Sequence, residues 1–224
     1  MTLSLAFAVA GFATIAIVAV REHAKAIASR RTLLDRCAPL LSGAKIKHGG
    51  DGFPTLEGYH GGKFLRAELV PDSMTIRRLP QLWLKLTRIE ARPRLPEYSL
   101  LVRPSGTEFY SLTSAHAVVL DPPPGVAAEV IAKGNRHASQ QTLDVSASAL
   151  RRIFSDARMK EAAVTVKGLR LVWQAAEGAR GEHLLFRQCR FDNADFHPVA
   201  FADLLDCLDE LSSSLEQTRE VRAA

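Results

Sequence analysis

The sequence has few of the residues and motifs that most often carry chemistry. It holds three cysteines among 224 residues, and no two of them form a C-x-x-C pair, so neither a disulfide-dense secreted scaffold nor a zinc finger is predicted. Its seven histidines are scattered, without the spacing that metal ligands need on one helix face or strand. The chain also has no P-loop, G-x-G-x-x-G, G-x-S-x-G or H-E-x-x-H motif. We therefore predict no catalytic residue, no metal site and no cofactor.

Charged residues are missing from the first 20 positions of the chain. The run from Leu3 to Val20 has only Ser4 and Thr14 as polar side chains. As a helix it would be about 27 Å long, close to the roughly 30 Å of a bilayer's hydrocarbon core. Its Leu, Ile, Phe and Val residues favour insertion by about 3 to 5 kcal/mol in total. The run therefore predicts a transmembrane anchor over residues 1–20.

Two alternatives to an anchor fit this run less well. A cleaved secretory signal carries positive charge before its apolar stretch, whereas here the charge follows it. Ala26-Ile27-Ala28 resembles a cleavage site, but Arg21, Glu22 and Lys25 separate it from the apolar run. A buried helix of a globular protein would show a polar stripe, which this run lacks. The pattern favours the anchor.

The excess of positive charge lies in one short segment. Residues 21–50 hold seven Lys and Arg against two acidic residues, which accounts for the whole chain's net charge of +5. The remaining sequence is balanced, so no nucleic-acid partner is predicted. Positive residues beside a membrane helix bias that side to the cytoplasm. We expect a basic juxtamembrane helix and linker over 21–50, with the helix reaching about Pro39, and a cytoplasmic domain over 51–224 at the inner membrane.

Short alternating runs joined by tight turns predict an α+β domain with an antiparallel sheet packed with two or three helices. The clearest hairpins join Thr55–Tyr59 to Lys63–Val70 and Val164–Val166 to Leu169–Gln174. A helix capped by Ser146 or Ser148 is expected to end near Lys160. The other predicted strands are Met74–Arg78, Leu82–Thr87, Tyr98–Arg103, Ala127–Ala132 and His183–Phe191.

A final helix is predicted from Pro198, with an apolar stripe that should pack on the sheet. The opposite face of this helix is acidic, and the segment from Arg77 to Arg103 is rich in arginine and lysine. These two regions are either electrostatic partners within the domain or separate solvated surfaces. The stripe consists of Phe201, Leu204, Leu205, Leu208, Leu211 and Leu215.

The most specific local motif is Arg103-Pro104-Ser105-Gly106-Thr107-Glu108. An arginine fork, two hydroxyls and the backbone N–H groups around a glycine can surround a phosphate dianion. These six residues are similar to the phosphate-gripping loop of the phosphohexomutase family, and the resemblance implies a phosphate contact through Arg103, Ser105, Gly106 and Thr107. That family also uses a phosphorylated serine loop and an Asp-rich magnesium loop, to which residues 113–116 and 50–52 correspond poorly and in the wrong order. A strand-end turn is the favoured alternative.

In layout the chain resembles uncharacterised bacterial proteins with one amino-terminal anchor, a basic juxtamembrane stretch and a small α+β domain. This resemblance implies no activity and no site residues. We expect a membrane-tethered, cytoplasmic, protein-binding or scaffold module without catalytic activity, whose partners are the bilayer and another protein. The alternative is a membrane-associated enzyme or sensor that recognises a phosphorylated small molecule through the Arg103 to Glu108 loop.

Overall fold

The computed structural model describes residues 2–73, 79–91, 96–106, 108–126, 129–178, 191 and 196–223. Within them, side chains are described for residue 7 and for residues 9 to 216. Four α-helices and nine strands are present in this part of the chain. The helices are α1 (Thr2–Arg31), α2 (Gln140–Val145), α3 (Ala147–Ile153) and α4 (Pro198–Ala223). The strands are β1 (Ser42–His48), β2 (Pro54–His60), β3 (Lys63–Asp72), β4 (Gln81–Ile89), β5 (Tyr98–Val102), β6 (Val118–Leu120), β7 (Val130–Gly134), β8 (Met159–Thr165) and β9 (Gly168–Glu177).

All nine strands belong to one antiparallel sheet, in the order β1-β2-β3-β4-β9-β8-β5-β7-β6. The β2–β3 hairpin turns at Gly61-Gly62, and the β8–β9 hairpin turns at Val166-Lys167. Both hairpins were expected from alternation and turn residues, and both are confirmed. The predicted α+β class with an antiparallel sheet is also confirmed.

Helices α3 and α4 cover one face of the sheet, and the core lies between them and the strands. All six members of the predicted α4 stripe are buried in this core. Leu84 and Leu86 of β4 and Leu169 and Leu171 of β9 meet them from the sheet. Each such buried side chain contributes about 1.5 to 3 kcal/mol to stability through removal of apolar surface from water. We call this side the helix face.

The other side of the sheet, which we call the open face, carries side chains of alternating charge on its first four strands. Lys47 Nζ lies 2.6 Å from Glu57 Oε2, and Arg66 Nε lies 3.7 Å from Glu57 Oε1. Glu68 contacts Arg66 at 3.5 Å and Lys85 at 2.9 Å. These pairs are partly exposed to water, which screens them, so they contribute little to stability. They leave the open face polar and of mixed sign.

The helix that begins with the apolar run ends earlier than the sequence predicts. Helix α1 ends at Arg31 rather than near Pro39, and a short 3-10 helix, Asp35–Leu40, follows. Strand β1 then occupies Ser42–His48, so the sheet begins inside the predicted linker. The apolar spacing that suggested a continued helix has another cause, because Leu34, Cys37 and Leu41 are buried in the core of the domain.

The middle helix also differs from its prediction. Ser146 does precede α3, but its hydroxyl donates to Leu143 O and makes no cap bond, and the helix ends at Ile153 rather than near Lys160. Lys160 lies in β8, where it is buried. The capped helix is α2, whose Ser139 hydroxyl accepts a bond from the Thr142 amide at 3.4 Å. The predicted strand Met74–Arg78 and nearly all of His183–Phe191 lie outside the described residues.

The amino-terminal helix itself is confirmed, and its apolar side chains are exposed. Phe7 is 71% exposed, Phe12 77% and Ile15 69%. Across the residues that the structure describes, no helix meets the length and hydropathy needed to cross a membrane.

Candidate functional site

The exposed apolar surface of α1 surrounds the helix. At 3.6 residues per turn, the large apolar residues between Phe7 and Val20 point in directions that leave no gap wider than about 80° around the axis. Contiguous exposed apolar surface of this kind marks an interaction site. The exposed residues are Phe7, Val9, Phe12, Ile15, Ile17, Val18 and Val20.

The polar side chain within this surface is satisfied by its own helix. The Thr14 hydroxyl donates to Ala10 O at 2.8 Å. Such a bond to the preceding turn removes the need for water at a hydroxyl on an apolar helix. The surface from Phe7 to Val20 therefore presents no side-chain donor that requires an outside partner.

The carboxyl end of α1 is fixed to the domain at the turn between β1 and β2. Arg30 Nη1 donates to Asp51 O at 3.1 Å, and its guanidinium lies 4.9 Å from the centre of the Phe53 ring. His48 Nε2 lies 3.1 Å from Arg31 O. These contacts join the carboxyl end of the helix to the edge of the sheet.

Gly52 permits the closest approach in this junction. A Cβ at Gly52 would lie 3.0 Å from Ile27 Cγ2 and 3.3 Å from Ile27 O, and the backbone there has φ +81°. A side chain at this position would meet both the helix and an unfavourable left-handed conformation. The glycine thus lets the turn pack directly on α1.

Basic side chains surround this junction. Arg21, Arg31 and Arg36 are exposed, as are Lys45 and Lys47 on the edge strand β1. Lys25 Nζ pairs with Glu22 at 2.8 Å. The hydrogen bond from Lys47 lowers the pKa of the Glu57 carboxyl below its usual value, so this acid stays ionised beside the lysines. We call Arg21, Lys25, Arg30, Arg31, Lys45 and Lys47 the basic collar.

The structure places the predicted phosphate loop at the end of β5. Arg103 follows the strand with φ 48°, and its Nη2 donates to Met159 O at 2.9 Å. The Ser105 amide and hydroxyl both donate to Glu108 Oε1, at 2.7 and 2.6 Å. Gly106 is exposed with φ +77°, and Thr107 lies outside the described residues. The Arg103 and Ser105 donors named here therefore bind groups of this chain, one of which is an anion of the same loop.

Glu108 occupies this position as a stable carboxylate. Burial raises its pKa, but the bonds from Ser105 and from the Lys160 ammonium outweigh burial and lower the pKa to about 2. Lys160 Nζ lies 3.0 Å from Glu108 Oε1 and donates to Arg103 O at 2.5 Å. Charge-assisted hydrogen bonds of this kind are strong, so the carboxylate stabilises the conformation of the loop.

A buried polar cluster around Glu161 holds residues 111–113, and the sequence gave no prediction of it. Glu161 in β8 is fully buried, and its Oε1 accepts bonds from Ser111 Oγ, the Leu112 amide and Thr113 Oγ1 at 2.5 to 3.1 Å. Its Oε2 lies 4.0 Å from Arg170 Nε. Burial lowers the pKa of Arg170, and the charge of Glu161 opposes that shift. The cluster fastens residues 111–113 to the open face.

The acidic face of α4 does meet part of the basic segment. Arg88, 1% exposed, donates to Asp209 Oδ1 at 2.5 Å and to Leu208 O at 3.0 Å. Lys63 Nζ lies 2.8 Å from Glu90 and 3.3 Å from Glu216. These bonds join α4 to the ends of β3 and β4, so the two regions are partners at this point of the fold.

Cys37, Cys207 and the residues just before α4 are the other side chains of the sequence that could carry nucleophilic or acid–base chemistry. Burial raises the pKa of the Cys37 thiol to about 12 and raises that of Cys207, so neither is a ready nucleophile. His197 is exposed, and its Nδ1 accepts the Val199 amide at 3.2 Å, as expected for a residue near a helix start. Asp192 and Asp195 lie outside the described residues. No group of three or more metal-ligating side chains occurs among those described.

Comparison with known proteins gave no match: no protein-family model, no curated protein and no solved structure is significantly similar to this chain.

Proposed function

We propose that this protein is a membrane-tethered binding module, anchored in a phospholipid bilayer by the apolar run from Leu3 to Val20. The observation that carries this proposal is the exposure of large apolar side chains on every side of α1. A helix that docks in a protein groove needs only one apolar stripe, whereas lipid surrounds a helix completely. The run that matches the bilayer thickness begins at Leu3, and the described side chains cover it from Phe7 onward.

The basic residues after α1's apolar part support the cytoplasmic side for the folded domain. Six residues of the collar follow the apolar run and none precedes it, and Lys and Arg near a membrane helix are retained on the cytoplasmic side. The proposal places the domain at the inner face of a cytoplasmic membrane.

The open face of the sheet supports a role in binding another protein. Its alternating charges are interrupted by an aromatic pair, Tyr59 and Phe64, whose ring centres lie 5.6 Å apart. Tyr59 is 50% exposed, and Ile89, which faces Phe64 across the ladder, is 52% exposed. An apolar patch with a charged rim is typical of a protein–protein interface. The proposed partner is therefore another protein at the membrane. The proposed function is binding, without catalysis.

Flotation of the full-length protein with phosphatidylcholine vesicles tests the tether. We expect the protein to float with the vesicles and to resist extraction by alkaline carbonate. Phe12→Lys should abolish flotation, because a lysine at the centre of the run costs about 2.5 to 3.5 kcal/mol, comparable to the whole insertion energy. Circular dichroism of this variant should match that of the parent protein, since Phe12 is 77% exposed.

Val119→Lys is the matched control, because Val119 is an exposed valine on the edge strand β6, 74% exposed. It adds the same charge to the domain and should leave flotation unchanged. A full-length protein that remains unbound in the gradient would contradict the tether.

A further inference from the structure

The junction between α1 and the β1–β2 turn fixes how far the domain lies from the end of the apolar run. Ile27 is the α1 residue that contacts the turn at Gly52. From Val20 to Ile27 the helix advances about 10 Å. The headgroup layer on each side of a bilayer is about 5 to 8 Å thick. With α1 spanning the bilayer, the β1–β2 turn lies at the boundary between headgroups and water.

The charges at that depth are mainly positive. Arg21 and Lys25 lie on the helix between the apolar run and the turn, and Arg30 and Arg31 lie at the turn itself. Lys45 and Lys47 follow along β1 toward the turn. Three acidic residues lie among them and have partners within the chain: Glu22 pairs with Lys25, Glu57 pairs with Lys47, and Asp51 Oδ1 in the turn accepts the Phe53 amide at 3.1 Å.

The position of β1 at the edge of the sheet also fits a membrane surface. Among the described strands it pairs with β2 alone, and both of its lysines are exposed. Lysines on an edge strand discourage pairing with another strand. The same lysines can approach anionic headgroups without displacing any contact of the helix face.

We infer that strand β1 and the β1–β2 turn form the membrane-facing edge of the domain, where the basic collar binds the phosphodiester groups of anionic phospholipids. This inference rests on the proposed membrane tether and adds the lipid class and the orientation of the domain. The rest of the domain is balanced in charge, so attraction to an anionic surface acts mainly on this edge.

Hydrogen–deuterium exchange on the full-length protein in vesicles tests the inference. One preparation contains phosphatidylcholine alone, and the other contains phosphatidylcholine with phosphatidylglycerol. We expect the amides of residues 42–53 to exchange several-fold more slowly in the anionic vesicles. This difference should disappear at 1 M salt, where the screening length falls to about 3 Å.

The double variant Lys45→Gln, Lys47→Gln should remove most of the difference in exchange between anionic and neutral vesicles, because each lysine near an anionic surface is worth about fivefold in affinity. The control variant Arg136→Gln, Lys167→Gln removes the same amount of charge from exposed positions outside the collar. It should keep the full difference in exchange between the two kinds of vesicle. Each variant is compared with itself in the two lipids, so a local change caused by loss of the Lys47–Glu57 pair cancels.

The outcomes separate the inference from the proposal on which it rests. Insertion into both kinds of vesicle with equal exchange at residues 42–53 would overturn the lipid-facing edge and leave the tether in place. Failure of the protein to enter either kind of vesicle would overturn both.

Discussion

The two long helices, α1 and α4, have similar lengths and opposite environments. Helix α4 carries its leucines on one stripe, and that stripe is buried against the sheet. Helix α1 carries apolar residues on all sides between Phe7 and Val20, and they are exposed. One sheet face can cover a stripe but cannot surround a helix. The distribution of apolar residues around the axis, more than their number, therefore decides whether a helix joins the core.

The polar residues of the two helices differ in the same way. Asp209 of α4 binds the buried Arg88 of the sheet, and Arg152 of α3 binds Glu210 at 2.6 Å, so the flanks of the buried stripe are fixed by ion pairs. Among the described side chains of α1, the contacts to the domain come from its last residues, around Ile27 to Arg31. The described side chains thus attach α4 at several turns and α1 near its carboxyl end.

The largest expected difference between the helices comes from truncating one side chain in each. Leu208→Ala removes a fully buried leucine of α4 and should lower the free energy of unfolding by about 2 to 5 kcal/mol. Ile17→Ala in α1 should leave it unchanged, because Ile17 is 60% exposed. Urea unfolding in detergent, followed by fluorescence of the buried Trp83 and Trp173, measures both. If both variants lost the same free energy of unfolding, the two helices would not differ in how they contribute to the core.

A smaller effect is expected from the ion pair that fixes α4. Asp209→Ala leaves the buried Arg88 without its closest acceptor and should cost about 1.5 to 3 kcal/mol. Asp203→Ala, an exposed aspartate on the same helix, is the control and should change stability little. The same unfolding measurement applies. An equal loss in both variants would mean that helix charge in general, and not the Arg88 contact, stabilises α4.

The smallest effect concerns the single attachment of α1. Gly52→Ala places a Cβ against Ile27 at a backbone φ of +81° and should cost about 1 to 2 kcal/mol. Gly50→Ala, two residues away, has open space around its added Cβ and should be nearly neutral. Cross-linking between cysteines introduced at Arg31 and His48, two residues that contact each other across the junction, would report whether the junction loosens. An unchanged cross-linking rate in Gly52→Ala would show that the turn does not hold the helix.

Local patterns in the sequence were sufficient for several elements because the determining contacts lie close along the chain. The hairpins around Gly61-Gly62 and Val166-Lys167 follow from alternation and turn residues, and α4 follows from its stripe and Pro198. The end of α1 was misjudged because Leu34, Cys37 and Leu41 repeat with helical spacing while packing in a different element. Periodicity cannot distinguish a helix face from core contacts made by an irregular segment.

The candidate sites were harder to predict because their contacts join residues that are far apart in the sequence. In the loop from Arg103 to Glu108, composition suggested phosphate contacts, but the Glu108 carboxylate accepts the Ser105 donors and is itself bound by the distant Lys160. Glu161 gave no signal at all, since its partners Ser111 and Thr113 are about 50 residues away in sequence. A buried carboxylate can be foreseen only when the strand order is known.

The order of amino acids along the chain was by itself enough to define an apolar leader with a basic flank, an antiparallel α+β domain and an amphipathic last helix, because each depends on periodicity or on adjacent residues. The tertiary structure decided which strands are neighbours, that β1 belongs to the sheet, and which charges meet: Arg88 with Asp209, and Lys160 with Glu108. Those contacts join residues far apart in sequence, so their energies depend on a spatial arrangement that no local pattern contains.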